Sequence, residues 1–295
     1  MLRRLSALFL LILSLISLSA CDRQAEDSDP SATPPTRVAV LFSSLCEVWQ
    51  AAGGTVAITV GESVERGLVQ EGIPLVDSGA GKSINTERLL AERPDLIVYS
   101  PDIPAQVAAA ELCAAAGIDT LPLRIETFPD YVEALKKAAA ITKSTDAVAV
   151  AEEMRAAIDA FKASTPGSEK TVLFVRAGST ASSTKAKRSE DHFAAAMLSE
   201  LGCSNIADSA SLLVDTLSTE AILEADPDCI FFSLMGSEEA ARANVEAILA
   251  RPEWQALRAV KNGNVTILPR ELFHYKPCGR YVQAYAFLAD ALTEE

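Results

Sequence analysis

Two glutamates, Glu87 and Glu220, occupy the same position in a motif that the chain contains twice. The first copy is NTERLLAERPDLIV at residues 85–98, and the second is STEAILEADPDCIF at residues 218–231. Each copy predicts a short helix that is capped by its first residue, carries an acid in the first turn, and is followed by a Pro-Asp break and a buried strand. The repeat indicates a duplicated module with two carboxylates on equivalent surfaces of two lobes.

A reactive thiol, that of Cys21, follows the apolar run LSALFLLILSLISLSA, which two arginines precede. This pattern is typical of a signal peptide over residues 1–20, and the small residues before the cysteine match the lipobox of bacterial lipoproteins. The run is short for a membrane-spanning helix. Residues 21–36 are polar and rich in proline, so they predict a lipidated, disordered tether.

The overall charge restricts the possible partners. Lys and Arg total 26 against 40 Asp and Glu, which gives a net charge of −14. Such a balance argues against nucleic acid and favours a partner with a basic surface. Beyond Cys21 the five remaining cysteines are widely scattered without a CxxC pair, so the sequence supports neither a disulfide framework nor a thiolate metal site.

Metal-binding and catalytic chemistry find little support in the sequence. Zinc and manganese receptors need several imidazoles, and the chain has only His192 and His274. There is no GxSxG nucleophile motif. The segment DSGAGKS resembles a phosphate-binding loop, but Val76 stands where the first glycine of GxxxxGK is required. We therefore expect no enzymatic activity, no intrinsic cofactor and no resident metal.

Strands and helices alternate from Arg37 onward, beginning with the predicted strands RVAVLFSS, TVAITV and IPLVDSG. This alternation predicts mainly parallel sheets. A long helical stretch with a break near residues 143–145 interrupts the pattern, which then resumes. The predicted fold is α/β, with two Rossmann-like lobes joined by a single long backbone helix. The predicted boundaries are 37–143 for the N-terminal lobe, 144–168 for the connecting helix and 169–295 for the C-terminal lobe.

Ligands of open parallel sheets bind beyond the carboxyl ends of the strands, so residues at those ends should line a cleft between facing lobes. A basic loop, RAGSTASSTKAKR, follows one of these strands and is either a cationic wall for an anionic ligand or a solvated surface loop. Another strand end supplies Glu62 and Ser63. The candidate cleft residues are Phe42, Ser43, Ser44, Tyr99, Ser100, Arg176, Ser179, Thr180, Lys185, Ser233, Met235, His274, Tyr275 and Tyr281.

The order of these segments resembles the helical-backbone class (class III) of solute-binding proteins of ABC importers, whose members bind cobalamin, iron-siderophore complexes or heme. The segments that carry the resemblance are IPLVDSG, NTERLLAERPDLIV, GIDTLPL, the long helix to Ser164, LGCSNIAD, STEAILEADPDCIF and KPCGRYVQAYAFLADAL. Together they extend over essentially all of residues 37–292.

This resemblance implies a monomeric substrate-binding lipoprotein, held by the lipid on Cys21 to the outer face of the bacterial cytoplasmic membrane. Its implied partner is an ABC permease dimer with its ATPase subunits, and Glu87 and Glu220 are the implied docking residues for arginine pockets of the permease. A carboxylate can accept two parallel hydrogen bonds from one guanidinium group. The alternative role of both acids is to stabilise helix N-termini, and the two roles are compatible.

The implied ligand is an iron-siderophore or cobalamin-type chelate, with heme as the alternative. An anionic siderophore would favour the cations of the basic loop, whereas cobalamin would be held by aromatic and polar surfaces such as Phe42, Tyr99 and Tyr281. Heme would need an axial ligand, and the candidates are Tyr99, Met235, His274, Tyr275 and Tyr281. Because one long helix joins the lobes, closure around the ligand is expected to be small.

Overall fold

The computed structural model describes residues 34–77, 83–165, 170–210, 214 and 217–293. The predicted signal peptide, Cys21 and most of the predicted tether lie outside the described residues. Among the residues that are described, no helix is both long enough and apolar enough to cross a membrane.

The N-terminal lobe is built on a three-stranded parallel sheet. Its elements are β1 (Val38–Val40), α1 (Ser43–Ala51), α2 (Gly61–Glu65), α3 (Thr86–Ala91), β2 (Leu96–Tyr99), α4 (Pro104–Ala115), β3 (Asp119–Pro122) and α5 (Phe128–Thr142). The strand order is β1-β2-β3, with Val38 beside Leu96 and Leu96 beside Asp119. The strands are short because loops and helix starts follow them at once, and those loops face the cleft described below.

The prediction of strands at TVAITV and IPLVDSG in this lobe was wrong, because the described residues of neither segment form a continuous strand. Their described residues form only isolated bridges, which are parallel between Ala39 and Ile58 and between Thr59 and Leu75, and antiparallel between Asp77 and Ile84. Helix α2 begins at Gly61, directly after the first of these segments, so no longer ladder develops there. The backbone still extends the sheet by hydrogen bonding beside β1.

The C-terminal lobe contains a five-stranded, mainly parallel sheet. The connecting helix α6 (Asp146–Ser164) precedes this lobe. The elements of the lobe are β4 (Thr171–Ala177), β5 (Lys185–Ala186), α7 (Phe193–Glu200), β6 (Ser204–Asn205), α8 (Thr219–Ala225), β7 (Cys229–Leu234), α9 (Glu238–Leu249), α10 (Pro252–Gln255), α11 (Arg258–Lys261), β8 (Val265–Ile267), α12 (Arg270–Phe273) and α13 (Tyr281–Thr293). The order is β5-β4-β7-β8, and β6 also pairs with β4. Only β5 among these strands is antiparallel to its neighbour.

The long helical stretch breaks where the sequence predicted. Helix α5 ends at Thr142, its C-cap Lys143 has a left-handed backbone with φ of 60°, and α6 starts at Asp146. Helix α6 packs against α5 of the first lobe and against α13 at the end of the second. Its buried face, which includes Met154 and Ile158, belongs to a hydrophobic core that contains residues of both lobes. The prediction of two α/β lobes with a long helix between them is confirmed.

Candidate functional site

A cleft of about 720 Å³ lies between the two lobes. Protein ligand pockets typically have volumes of about 300–1,000 Å³, so the cleft is large enough for a bulky small molecule. The first lobe supplies Leu41, Phe42, Val60, Glu62, Asp102, Ile103, Pro104 and Glu126, and the second supplies Arg176, Asp191, His192, Phe193, Met235, Gly236, His274, Tyr275 and Lys276. Aromatic and aliphatic surfaces therefore alternate with charged groups.

Most acids of the cleft wall are engaged by neighbouring side chains. Glu126 forms an ion pair with Lys276, which reaches it from the opposite lobe. The carboxylate of Glu62 accepts a hydrogen bond from the Ser43 hydroxyl. Asp102 pairs with Arg124 at 3.2 Å. The negative charge of these groups is thus largely satisfied within the protein, and Asp191 is exposed to solvent.

Arg176 is a half-buried charged group of the cleft that has no charged partner among the described residues. It lies near the carboxyl end of β4 and is half-buried. Its guanidinium forms no ion pair or side-chain hydrogen bond with any residue that the structure describes. Burial lowers the pKa of Arg176, as expected for a cation that has lost water without gaining an anionic partner.

His192, which also lines the cleft, packs against two phenylalanines. Its ring centroid is 4.7 Å from those of both Phe174 and Phe193. The Nδ1 atom accepts a hydrogen bond from the Ala194 N–H at 3.2 Å and caps helix α7. Desolvation first, and then the positive charge of Arg176, lower the pKa of His192 to about 3. The imidazole is therefore neutral near pH 7, with its proton on Nε2.

His274, in contrast, carries its proton on Nδ1. That atom lies 3.1 Å from the Leu234 carbonyl oxygen, which can only accept a hydrogen bond. Nε2 is then the acceptor for the Arg270 guanidinium, also at 3.1 Å. Burial lowers the pKa of His274, so this ring is also mainly neutral near pH 7. The two histidines of the cleft thus have opposite tautomers.

Residues 275–280, here called the strap, belong to the second lobe and contact the first lobe beside the cleft. The Arg66 guanidinium lies over the Tyr275 ring, 4.1 Å from its centroid. Arg66 also forms an ion pair with Glu47 of α1. The Cys278 thiol donates to the Ser44 carbonyl at 3.4 Å. Together with the Lys276 ion pair, these contacts make the strap a second connection between the lobes, besides α6.

The family comparison agrees with this architecture. A family model described as "Periplasmic binding protein" matches residues 38–272, which is most of the chain. The chain belongs to this family. Membership makes it a solute-binding protein of the extracytoplasmic space, the class that the sequence resemblance implied. A comparison with curated protein sequences finds no match.

Solved structures show the same fold at low sequence identity. An ABC transporter substrate-binding protein from Listeria monocytogenes EGD-e has a TM-score of 0.72 and 16% identity, over 89% of this chain and 100% of that one. The vitamin B12-binding protein of Vibrio cholerae gives 0.65 and 18%, over 88% and 97%. Staphylococcus aureus SirA, complexed with staphyloferrin B, gives 0.64 and 19%, over 88% and 92%. These similarities establish the fold of the periplasmic binding protein.

The structure brings part of the predicted cleft set together. Phe42, Arg176, Met235, His274 and Tyr275 all line the cleft, as strand-end positions should in facing lobes. Their contact with a ligand remains a prediction. The last two also hold contacts with distant residues that the sequence did not reveal, His274 with Leu234 and Tyr275 with Arg66.

Other predicted cleft residues lie elsewhere in this periplasmic binding protein. Tyr281 is 1% exposed and packs against Phe128 and Tyr131, since α13 begins there and turns the ring into the core. Tyr99 is half-buried outside the cleft lining and packs against a core cluster of the first lobe. Ser43, Ser44, Ser100 and Ser233 are buried, and Ser179, Thr180 and Lys185 are exposed beyond the lining.

The repeated acids are where the motif predicted them. Glu87 lies in the first turn of α3 and Glu220 in the first turn of α8, and both side chains are exposed. Asn85 and Ser218 cap the two helices through their side chains. Neither glutamate forms an ion pair or hydrogen bond with the described residues, so both carboxylates are available to an external partner.

Sequence reasoning missed several residues of the cleft wall. Asp102, Glu126, Asp191 and Lys276 come from loops and not from predicted strand ends. His192 was not predicted in the cleft either; it is the N-cap of the helix that begins at Phe193. A usable signal was the pattern of a polar residue directly before an apolar helix, which is typical of a cap.

Proposed function

We propose that this protein is the extracytoplasmic substrate-binding lipoprotein of an ABC importer, which captures a bulky iron-siderophore or cobalamin-type chelate and delivers it to the permease. The observation that carries the proposal is the cleft of about 720 Å³ that both lobes line. The family and the fold shared with siderophore-binding and vitamin B12-binding proteins support the same ligand class.

The form of the cleft suits a large ligand that is held with little closure. Helix α6 shares a continuous core with both lobes, and the strap adds a polar connection beside the cleft. Two such connections oppose a wide hinge movement, so the binding surface is largely preformed. A rigid chelate fits a preformed cleft without a large loss of conformational entropy.

A binding experiment tests this function. Purified protein is exposed separately to cyanocobalamin, ferric enterobactin, ferric dicitrate and hemin, and complexes are followed by native mass spectrometry and visible absorbance. We expect a one-to-one coloured complex with at least one of these probes. The variant Met235→Trp should block it by filling the cleft, whereas Val150→Trp, at an exposed position on α6, should bind normally. If no probe binds, the proposal is wrong.

Docking on the permease is the second part of the proposal. Glu87 and Glu220 are exposed, form no ion pair with the residues that the structure describes, and lie in equivalent first turns of α3 and α8. Two such carboxylates on separate lobes suit a partner with two equivalent basic pockets, because arginine recognises a carboxylate bidentately. A permease dimer has this duplicated form. The lipid on Cys21 would keep the protein near that partner.

Heme is the second candidate ligand, and the geometry of His274 favours it. A metal-binding histidine usually donates its other ring N–H to a carbonyl or carboxylate, as Nδ1 of His274 does to Leu234. The Nε2 lone pair is directed to Arg270, which would have to move aside for iron. Hemin titration tests this: a Soret shift that His274→Ala abolishes supports heme, and an unchanged shift contradicts axial ligation by this residue.

A further inference from the structure

An ion pair joins the two lobes inside the cleft. Lys276 of the strap donates to the carboxylate of Glu126, which comes from the loop before α5 of the first lobe. Both residues line the cleft, although they lie 150 positions apart in the chain. The Glu126 side chain is 38% exposed and that of Lys276 is 17% exposed, so the pair remains partly accessible to water. A ligand that fills this part of the cleft therefore meets the ion pair.

The lysine of this pair also covers an aromatic ring of the cleft. The Lys276 ammonium lies over the Phe193 ring, 5.2 Å from its centroid. Phe193 lines the cleft but is only 7% exposed. The face of an aromatic ring attracts a cation, so the ring and Glu126 together hold the ammonium in place. In this position Lys276 keeps the ring from an apolar or aromatic face of a ligand.

The other contacts of the strap with the first lobe lie deeper. The Cys278 thiol is fully buried and donates to the Ser44 carbonyl. The ion pair of Arg66 and Glu47, beside the strap, has side chains that are 7% and 17% exposed. Buried pairs are costly to break from one side, whereas partly exposed pairs are held together by a small free energy. The strap is therefore fixed near Cys278 and more easily released at Lys276.

We infer that the Glu126–Lys276 ion pair is an autoinhibitory latch, which covers Phe193 and must open before a ligand can occupy that part of the cleft. This inference rests on the proposed function, since it concerns how the same cleft admits its ligand. The movement is local, because α6 and the buried end of the strap keep the lobes together. A protein whose binding-competent form is only partly populated has a reduced apparent affinity, so the latch lowers affinity and slows association.

The latch also discriminates between ligands. Opening it returns the charges of Glu126 and Lys276 to water, and the ligand must offset that cost. A ligand that places an apolar or aromatic face on Phe193 gains the burial of both surfaces. Small hydrated solutes make no such contact and leave the latch closed. The latch therefore favours bulky chelates over small polar solutes.

Removing either charge should release the latch. The variants Glu126→Gln and Lys276→Gln are mixed in a stopped-flow instrument with whichever probe the wild-type protein binds most tightly among cyanocobalamin, ferric enterobactin, ferric dicitrate and hemin. We expect association to be about two- to fivefold faster, because a partly exposed ion pair changes an equilibrium by about this factor. Dissociation should be unchanged, since the latch is open in the complex. Affinity should rise equally in both variants, and the double variant should gain no more than either one.

The matched controls are Arg124→Gln and Glu133→Gln. Each breaks an ion pair within the first lobe, and neither residue lines the cleft. Arg124→Gln changes the net charge as Lys276→Gln does, and Glu133→Gln changes it as Glu126→Gln does. Both controls should leave the association and dissociation rates unchanged, so a general effect of charge on ligand encounter is excluded by this comparison.

Weaker binding in either latch variant would overturn the latch, because that side chain would then contribute to holding the ligand. Rates equal to those of the wild-type protein would also overturn it, and so would faster dissociation that cancels faster association. All three results leave the proposed function intact, since the wild-type protein binds a probe in each. If none of the four probes binds the wild-type protein, the proposed function is wrong, and the latch with it.

Discussion

The carboxylate of Asp228 accepts hydrogen bonds from the backbone N–H and the hydroxyl of Thr171, each at 2.8 Å. Asp95 accepts the same pair of hydrogen bonds from Thr36, at 3.0 and 2.9 Å. Both aspartates belong to the Pro-Asp pair of the repeated motif, and both threonines stand at or just before the first strand of their lobe. In each lobe, therefore, the aspartate of the repeat is hydrogen-bonded to a threonine at the start of the neighbouring parallel strand, and this contact aligns the two strands.

Removing this connection should destabilise the second lobe. Asp228→Ala leaves the Thr171 donors without a partner and breaks the 3.0 Å ion pair with Arg258. We expect the free energy of unfolding to fall by about 1–3 kcal/mol, measured by urea denaturation. Asp290→Ala, at an exposed acid of α13, is the control and should change it by less than about 0.5 kcal/mol. A loss no larger than that of the control would contradict this role.

The repeated motif also shows which parts of the structure were predictable from sequence. Its caps, first-turn acids and following strands depend on contacts within a few residues, and the structure reproduces them in both lobes. The cleft depends instead on distant contacts. Lys276 reaches Glu126 across 150 residues of sequence, and Arg66 reaches Tyr275, so neither pair leaves a local pattern. Burial is equally non-local, which is why Tyr281 was predicted in the cleft but lies in the core.

The lowered pKa of the half-buried His192 predicts a specific pH dependence of stability. Its pKa is about 3 in the folded protein, because of desolvation and the charge of Arg176, and about 6.5 when unfolded. Below pH 6.5 the unfolded chain binds a proton that the folded chain rejects, so stability is complete above that pH and falls as the pH decreases towards 3. From pH 7.5 to pH 5, His192 alone should cost about 2 kcal/mol.

The variant His192→Asn separates this effect from other titrations. Asparagine can cap α7 but does not titrate, so urea unfolding of the variant should lose about 2 kcal/mol less than the wild type between pH 7.5 and pH 5. His274, whose pKa is also lowered by burial, is present in both proteins and cancels in the comparison. Equal losses in the two proteins would show that His192 is solvated.

The strap should be sensitive to loss of Arg66. Its side chain is 7% exposed and its partner Glu47 is 17% exposed, so Arg66→Met leaves a largely buried carboxylate with only the longer, 3.6 Å ion pair to Arg280. We expect a loss of about 3 kcal/mol in the free energy of unfolding, the usual cost of breaking a buried ion pair from one side. The double variant Arg66→Met with Glu47→Leu should recover most of it, because no carboxylate remains unpaired. A double variant no more stable than the single one would exclude the ion pair as the cause.

The lipid anchor gives a prediction about fractionation. Cys21→Ala removes the only thiol available for acylation at the predicted cleavage site, so the protein should leave the membrane fraction and appear in the soluble extracytoplasmic fraction. Cys113→Ala, at a buried thiol of the first lobe, is the control and should remain with the membrane. Immunoblots of separated fractions measure the distribution. Membrane retention of the Cys21 variant would contradict lipidation at this residue.

The docking acids make the strongest functional prediction, because binding and transport can be measured separately. Replacing Glu87 and Glu220 together with alanine removes two exposed carboxylates that do not line the cleft, so ligand affinity of the purified protein should change less than twofold. Uptake of the labelled ligand by cells should fall at least tenfold, since two charge-assisted contacts with the permease are lost. Each single variant should lose less than the double one, because the two contacts act in one complex.

The matched control replaces two other exposed acids, Glu111 of α4 and Glu153 of α6, with alanine. It removes the same net charge, so any general electrostatic effect on association should appear in both double variants. Normal uptake with the control and loss of uptake with Glu87 and Glu220 replaced would locate the docking surface on α3 and α8. Charge reversal to lysine at both positions should abolish uptake altogether, because like charges would then face the basic pockets. If uptake persists after both the alanine and the lysine replacements, the docking role is contradicted. The two acids would then only stabilise the N-termini of their helices.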